Sequence, residues 1–241
     1  MTFKIIHIDE TDSTNRWLRD HGQEPIRHDG TLASAGTAVV ADYQTAGRGC
    51  GTNTWESERG KNLLFSLLIH PTDVPAREQF LLSMANALAL KTAIDSYVDD
   101  ISIKWPNDIY WRDRKIGGTL IETRLQGTLV KDCIIGTGIN VNQTQFLSDA
   151  PNPVSLAQIL GHEVSRDTLL QHILDAFRLS DDLPERYKAA LYRREGFFTY
   201  RDAAGTFRAE WVDVERDGTL VLRDEDGTVR RYAFKQVAFV L

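Results

Sequence analysis

The spacing of apolar residues changes several times along the chain. Phe3 to Ile8 alternates apolar and polar positions, which predicts a short strand. Asp12 and Ser13 are good N-cap residues, and Asn15 to Arg19 suits the start of a helix. The run Ala38-Val39-Val40-Ala41 predicts a buried strand that leads directly into a glycine-rich loop. Asn62 to Ile69 predicts another strand, stopped by Pro71. From Arg77 to Tyr97, residues Phe80, Leu81, Met84, Ala85, Leu88 and Ile94 recur at helical spacing, giving the longest expected helix.

Ile101 to Trp105 reads as a strand turned by Pro106 and Asn107. Thr119 to Leu125, a Gln126-Gly127 turn and Thr128 to Asn140 predict a hairpin. Val154 to Tyr192 is expected to be helical, with Leu156, Ile159, Leu169, Leu170, Ile173 and Phe177 as core positions. Strands and helices mix without a βαβ rhythm. That predicts an α+β fold with a mainly antiparallel central sheet and flanking helices. Past Arg193 the pattern becomes short strands: Thr206 to Val214, Thr219 to Arg223, Thr228 to Phe234 and Val237 to Val240, with turns at Asp217-Gly218 and Asp226-Gly227. The expected division is a larger domain over 1–192 and a small β-barrel over 193–241. A module of roughly 50 residues is marginal alone, so it should pack on the larger domain.

Composition narrows the classes. A hydrophobic content of 42% and a charged content of 26% fit a packed globular chain. The net charge of −6 argues against a nucleic-acid surface. No apolar run is long enough for a membrane helix, and the N-terminal stretch does not resemble a signal peptide. Two cysteines, Cys50 and Cys133, make no disulfide framework, and a reduced, cytoplasmic protein is expected. The histidines, His28 among them, show no metal-ligand spacing, and Cys-x-x-Cys is absent.

Two segments carry the chemistry: Tyr43 to Gly49, containing Gly47-Arg48-Gly49, and Lys104-Trp105-Pro106-Asn107-Asp108 with Lys115-Ile116-Gly117-Gly118 soon after. Glycines let backbone approach an anion while a guanidinium clamps it. A lysine just past an acidic turn adds a mobile positive charge. Together they suit a site holding a carboxylate against a nucleotide phosphate. The bland reading is a surface turn with a solvated Arg48, a core Trp105, a Pro106-Asn107 turn, and Asp108 as a turn acceptor. Ser13, Thr14 and Gln44 offer hydroxyls and an amide for a neutral polar ligand, or serve as helix caps. Trp55 either stacks on a base, closes the site, or is a core tryptophan. Gly136-Thr137-Gly138-Ile139-Asn140 lacks the context of a dinucleotide fingerprint, and no P-loop is present.

Asp12-Ser13-Thr14-Asn15, Gly47-Arg48-Gly49, Lys104 to Asp108, Lys115 to Gly118 and Gly138-Ile139-Asn140-Val141-Asn142 resemble, in order, the motif series of biotin–protein ligases. The resemblance covers about two thirds of the chain. It implies a biotin/lipoate ligase-like catalytic domain followed by an SH3-like barrel. It implies ATP with Mg²⁺, formation of biotinyl-5′-AMP, and transfer of biotin to a lysine of a biotin carboxyl carrier protein. Lys115, Arg48 and Asp108 would be the catalytic set. Ser13, Thr14, Asn15, Gln44, Gly47, Arg48, Lys115, Gly117 and Gly136 would meet biotin, with Gly118 also allowing close backbone approach. Arg48, Trp55, Lys104, Asn107, Asp108 and Asn140 would meet ATP.

One departure stands out. Many members continue the loop with further arginines, whereas here Cys50-Gly51-Thr52 follows. The second arginine, which helps to retain the adenylate, is missing; Arg59 and Lys61 are nearby substitutes. Cys50, in an electropositive glycine-rich loop, is expected to be more reactive than Cys133. The loops Ala46 to Glu58 and Pro106 to Arg114 are expected to tighten on ligand.

The runner-up reading is a lipoate ligase or octanoyltransferase. Readings of another class are a non-catalytic biotin-binding module and a biotin-sensing repressor. The first motif begins at Asp12, which leaves no space for an N-terminal DNA-binding domain, so no nucleic-acid partner is expected. The chain is expected to be a monomer or a homodimer, with Thr128 to Ile135 as a possible pairing edge.

Overall fold

A seven-stranded sheet dominates the computed structural model, which describes residues 2–22, 35–51, 53–71, 73–148 and 151–241. Thr52 and His28 lie outside these residues. In chain order, β1 (Thr2–Thr11), α1 (Thr14–His21), β2 (Ala35–Gln44) and β3 (Leu63–Ile69) come first. A 3-10 turn (Ala76–Glu78) precedes α2 (Phe80–Ile94). Then come β4 (Ile101–Lys104), β5 (Asp108–Trp111), β6 (Arg114–Gln126) and β7 (Leu129–Ile139). Three short helices follow: α3 (Leu156–Leu160), α4 (Arg166–Ala176) and α5 (Leu183–Ala189). The sheet order is β1-β2-β3-β7-β6-β5-β4. β1 and β2 run parallel; every other neighbouring pair is antiparallel.

β3 shows why the sheet is a core and not a surface. All seven of its residues are buried, as the nearly continuous apolar run Leu-Leu-Phe-Ser-Leu-Leu-Ile requires of a strand covered on both faces. On one face lies α2, apolar almost all round and packed against α4 and α5. Asn86 of α2 donates to Thr119 and Thr137 Oγ1 (3.1 and 3.2 Å), which fixes the odd-numbered residues of β6 and β7 on that face. On the other face α1 buries Leu18 against Val39, Leu68 and Ile134. Adjacent strand residues face opposite ways, so the even-numbered residues of the same strands lie under α1 and the loop after β2.

The C-terminal segment forms a separate antiparallel sheet: β8 (Phe197–Asp202), β9 (Gly205–Val214), β10 (Leu220–Asp224), β11 (Val229–Tyr232) and β12 (Ala238–Phe239). Its order is β11-β10-β9-β8-β12. One hydrophobic cluster runs from the large sheet into Tyr200, Ala209, Val214 and Leu222 of the small one. Trp105 Nε1 donates to Gly218 O at 3.0 Å across that junction. Gly218 is required twice over: its φ is +94°, and a Cβ there would lie 2.7 Å from the Phe80 ring.

The α+β architecture matches the expectation, and several local features differ from it. The segment Val154 to Tyr192 is three helices. Ser155 and Gln158 form a capping box, and Gly161 at φ +78° ends α3 in a left-handed turn. β8 was not anticipated. Thr128 to Ile135 is no edge, because Cys133 to Ile139 pairs with β3 on one side and β6 on the other. Val74 and Ala76 hydrogen-bond the chain at Val130 and Thr128. Pro106 to Arg114 is not a loop, since β5 fills it and pairs on both sides. Among the described residues, no helix is long and apolar enough to cross a membrane.

Phe65 is fully buried at the centre of this arrangement. Phe65→Ala is expected to cost about 3–5 kcal/mol, measured as a loss in urea unfolding free energy.

Candidate active site

The even-numbered face of β6 and β7 carries three glycines. Gly118 pairs with Gly138, and Gly136 lies two residues back along β7. They form a floor without side chains, and three groups rest directly on it. A Cβ at Gly136 would lie 2.1 Å from Asn15 Oδ1. One at Gly138 would lie 2.3 Å from Trp55 Cε2. One at Gly118 would lie 3.0 Å from Asp108 Oδ1 and 3.1 Å from Lys115 Nζ. The trough therefore runs from Asn15, past Trp55, to the Asp108–Lys115 pair. From strand geometry its floor spans roughly 8 Å from Gly136 to Gly118. Gly117, the neighbour of Gly118, faces the opposite side, towards Ile139.

At the α1 end the polar groups are buried and mutually satisfied. Gln44 Oε1 accepts from the Thr14 N–H at 2.8 Å, and Thr14 Oγ1 is 3.1 Å away. Ser66 Oγ lies 2.7 Å from Thr14 Oγ1 and 2.6 Å from Asn15 Oδ1. Each hydroxyl has one proton. Two protons serve three oxygen–oxygen contacts: Ser66 O–H donates to Asn15 Oδ1, and Thr14 O–H donates either to Ser66 or to Gln44 Oε1. Asn15 Nδ2 donates to Glu122 Oε2 at 2.8 Å and to Leu120 O at 3.3 Å. Ser13 is buried but does not cap α1 with its side chain, contrary to its expected capping role. Asp12 instead accepts from the Ser13 N–H, and its bond to Arg16 holds its carboxyl below the usual range.

The loop after β2 is a hairpin. Arg48 and Thr54 form a β-bridge, Gly49 N–H donates to Asn53 O (2.7 Å), and Trp55 N–H donates to Gly47 O (3.0 Å). Gly47 allows the strands to approach, since a Cβ there would lie 2.7 Å from Trp55 O. The hairpin lays the Trp55 indole over Gly138, with Nε1 buried and unpartnered among the described residues. Arg48 Nη2 is 3.5 Å from Glu122 Oε1, which also accepts from Arg19 at 2.7 Å.

At the far end a β-bulge aims the lysine. Ile109 pairs with Gly117 but Tyr110 with Lys115, so Ile116 is an extra residue in β6. Lys115 N–H donates to Asn152 O and its carbonyl accepts from Val154 N–H, fixing its backbone. Lys115 Nζ sits 2.8 Å from Asp108 Oδ1, with both side chains about a third exposed. Asn140 is buried, and its amide donates to Lys115 O and Val154 O (3.5 and 3.3 Å). Asn107 donates to Ser83 at 3.3 Å. Lys104 lies outside the trough: its Nζ donates to Tyr110 Oη at 3.1 Å and lies 5.4 Å from the Phe239 ring centroid. Burial pushes its pKa down, with Asp108 pulling the other way. Arg59 pairs with Glu10 and stacks on Tyr43, while Lys61 pairs with Glu163 at 2.8 Å, so neither charge reaches the Cys50 turn.

The structure thus brings Thr14, Asn15, Gln44, Gly47, Arg48, Trp55, Asp108, Lys115, Gly118 and Gly136 around one trough. Ser66 and Glu122 were missed in the sequence. Ser66 had a signal, as the lone polar residue in a seven-residue apolar strand. Glu122 had none.

A family model described as the biotin/lipoate A/B protein ligase family matches residues 10–140, more than half of the chain. The chain belongs to this family. The bifunctional ligase/repressor BirA of Bacillus subtilis (strain 168) is 32% identical over 216 residues, covering 83% of this chain and 66% of that protein. BirA of Escherichia coli (strain K12) is 30% identical over 182 residues, covering 75% of this chain and 54% of that protein. The matches thus span less than two thirds of either relative. A solved biotin protein ligase from Aquifex aeolicus in complex with biotin and ATP superposes with a TM-score of 0.73 at 25% identity over 97% of both chains.

Two outcomes follow for this family member. Ser66→Ala removes the link between Thr14 and Asn15 inside the fold and is expected to cost about 1–3 kcal/mol in denaturant unfolding. Cys50 is partly exposed, whereas Cys133 is buried and its thiol pKa is pushed up by that burial. Native protein treated with iodoacetamide should therefore label at Cys50 well before Cys133, with peptide mass mapping as the readout.

Proposed function

We propose that the chain is a biotin–protein ligase. Biotin and ATP give biotinyl-5′-AMP and pyrophosphate, and the biotinyl group then passes to a lysine of a biotin carboxyl carrier protein domain. The observation that carries this reading is the trough itself, closed at one end by neutral hydrogen-bonding groups and at the other by Lys115. A ureido ring matches the Thr14–Ser66–Asn15 end. A dithiolane ring, as in lipoate, carries no N–H or carbonyl with which to answer those groups. That contrast favours biotin over the lipoate ligase alternative.

In this reading the residues act by position and charge. The glycine floor lets the ligand chain lie against the backbone. Lys115 offsets the repulsion between the biotin carboxylate and the α-phosphate as a carboxylate oxygen attacks phosphorus and pyrophosphate leaves. Asp108 holds Lys115 before ligand arrives. Once Lys115 turns to the phosphate, Asp108 is free to accept the proton that the acceptor lysine loses when its amine attacks the acyl carbon and AMP departs. Arg48 leaves Glu122 for the phosphate, and Arg19 stays to balance that carboxylate. Asn140 serves by fixing the Lys115 backbone, and Asn107 by fixing the turn before Asp108. Trp55 closes the trough. Ser13, by its burial next to Thr14, completes the ring end, and Gly117 keeps the β6–β7 backbones close.

Mg²⁺ enters with ATP as part of the substrate. Among the described residues no three His, Cys, Asp or Glu side chains converge on a point that could hold an ion. We assign the catalytic domain to 1–192 and the small module to 193–241. We place the enzyme in the cytoplasm, with no membrane or nucleic-acid partner, as a monomer or homodimer.

Exchange of labelled pyrophosphate into ATP tests the proposal. It is expected to require biotin and to fall at least about a hundredfold in Lys115→Ala. Exchange supported by lipoate instead of biotin would overturn the choice of substrate, and none with either would overturn adenylation.

A further inference from the structure

Glu122 lies on the trough face of β6, opposite Ile134 of β7 and two residues beyond Leu120. Its carboxylate receives donors from three side chains. Asn15 Nδ2 donates to Oε2 at 2.8 Å. Arg19 donates to Oε1 at 2.7 Å, and Arg48 Nη2 lies 3.5 Å from the same oxygen. Only an ionised carboxylate accepts at both oxygens. A glutamine in the same place would turn its N–H groups towards either Asn15 or the arginines.

This carboxylate fixes which way round the Asn15 amide sits. The two N–H bonds of that amide go to Glu122 Oε2 and to Leu120 O at 3.3 Å. The reversed amide would set its oxygen against a carboxylate and a carbonyl, acceptor against acceptor. Asn15 Oδ1 therefore faces the floor, where a Cβ on Gly136 would lie 2.1 Å from it. An amide oxygen cannot donate, so the 2.6 Å contact with Ser66 Oγ consumes the one Ser66 proton. Ser66 Oγ is then an acceptor towards every other partner. Asn15 and Ser66 are both buried, while Glu122 is about a third exposed. A carboxylate at the mouth thus sets the sense of the hydrogen bonds of two buried groups inside.

We propose that Glu122 determines the ring specificity of this site: through Asn15 it holds the ring end of the trough in an acceptor state, selective for a ring that carries N–H donors. The inference rests on the biotin reading above, in which the ring is a cyclic urea with two N–H groups. Glu122 is a positioning residue, acting through Asn15 and not by contact with the ligand. Its two oxygens divide the roles. When Arg48 leaves Oε1 for a phosphate, Oε2 still holds Asn15, so the ring end keeps its sense through both half-reactions. A ring with oxygen or sulfur in place of N–H meets buried lone pairs with lone pairs of its own, which is unfavourable.

The test is calorimetric binding to the full chain of biotin and of its two cyclic carbamate analogues, in each of which oxygen replaces one ureido N–H. The carbamates keep the size of the ring and turn one donor into an acceptor. Wild type is expected to bind biotin about tenfold to a hundredfold more tightly than at least one carbamate. Glu122→Met keeps the side-chain stem and removes both acceptor oxygens; it should narrow that preference to within about threefold by weakening biotin. Asn15→Asp sets two carboxylates face to face and should weaken biotin at least about tenfold. Adding Glu122→Gln to Asn15→Asp keeps the net charge of wild type and lets the new amide donate to the new carboxylate. Biotin affinity should return to within about fivefold of wild type. Thermal melting checks the fold of each variant, and if Glu122→Met does not fold, the Asn15→Asp pair decides alone. A preference unchanged in Glu122→Met, or no recovery in the double variant, overturns the assignment. Wild type that binds biotin without preferring it to either carbamate also overturns the assignment and leaves the ligase reading standing. Wild type that binds no biotin overturns that reading, and the assignment with it.

Discussion

The closeness of the β6 and β7 backbone to the side chains laid over it governs this structure. Two adjacent central strands must supply core on one face and an open floor on the other. The odd-numbered residues meet α2, where Asn86 locks Thr119 and Thr137. The even-numbered ones include Gly118, Gly136 and Gly138, and the groups above them sit where side chains would otherwise be. Any Cβ on that floor would displace Asn15, Trp55 or the Lys115–Asp108 pair. The bulge at Ile116 serves the same end, since it turns Lys115 onto the floor while Ile116 stays wholly buried.

Electrostatics are distributed by pairing. Each exposed cation near the trough is matched to a carboxylate: Lys115 to Asp108, Arg19 and Arg48 to Glu122, Arg59 to Glu10. Such half-exposed pairs contribute little to stability, about 0–1 kcal/mol each. They exchange partners at low cost, as the proposed trade of a carboxylate for a phosphate requires. Lys104 is different. Its ammonium is packed against Tyr110 and Phe239, where desolvation opposes its charge. That environment makes it part of the seam between the two sheets.

Much of this was legible in the sequence because it is local. Two strand-forming runs joined by the Gln126-Gly127 turn disclosed the β6–β7 hairpin. The ordered motifs disclosed the trough residues on α1, β2, β5 and β6. What escaped was set by distance or by context. β8 follows a left-handed Arg193 and a glycine, and its aromatic pair Phe197-Phe198 shows no alternation. The helical stretch after Val154 hid its break, although Gly161 was a visible stop. Glu122 is an ordinary strand glutamate until the fold brings Asn15, Arg19 and Arg48 to it. Gly51 and Lys235 come from distant parts of the chain, yet a Cβ on the glycine would lie 2.4 Å from the lysine Nζ, and no spacing rule reaches that far.

The two margins of the large sheet are unlike. Beside β4, Ile103 is bridged to Leu191, with its N–H and carbonyl both bound to the segment after α5. That margin is sealed. Among the described residues nothing pairs with the outer side of β1, a ten-residue strand whose exposed positions include Lys4, Asp9 and Glu10. The sheet therefore has one terminus at which another strand can be added and one at which addition is forbidden. Its charged side chains there act as gatekeepers against indiscriminate growth.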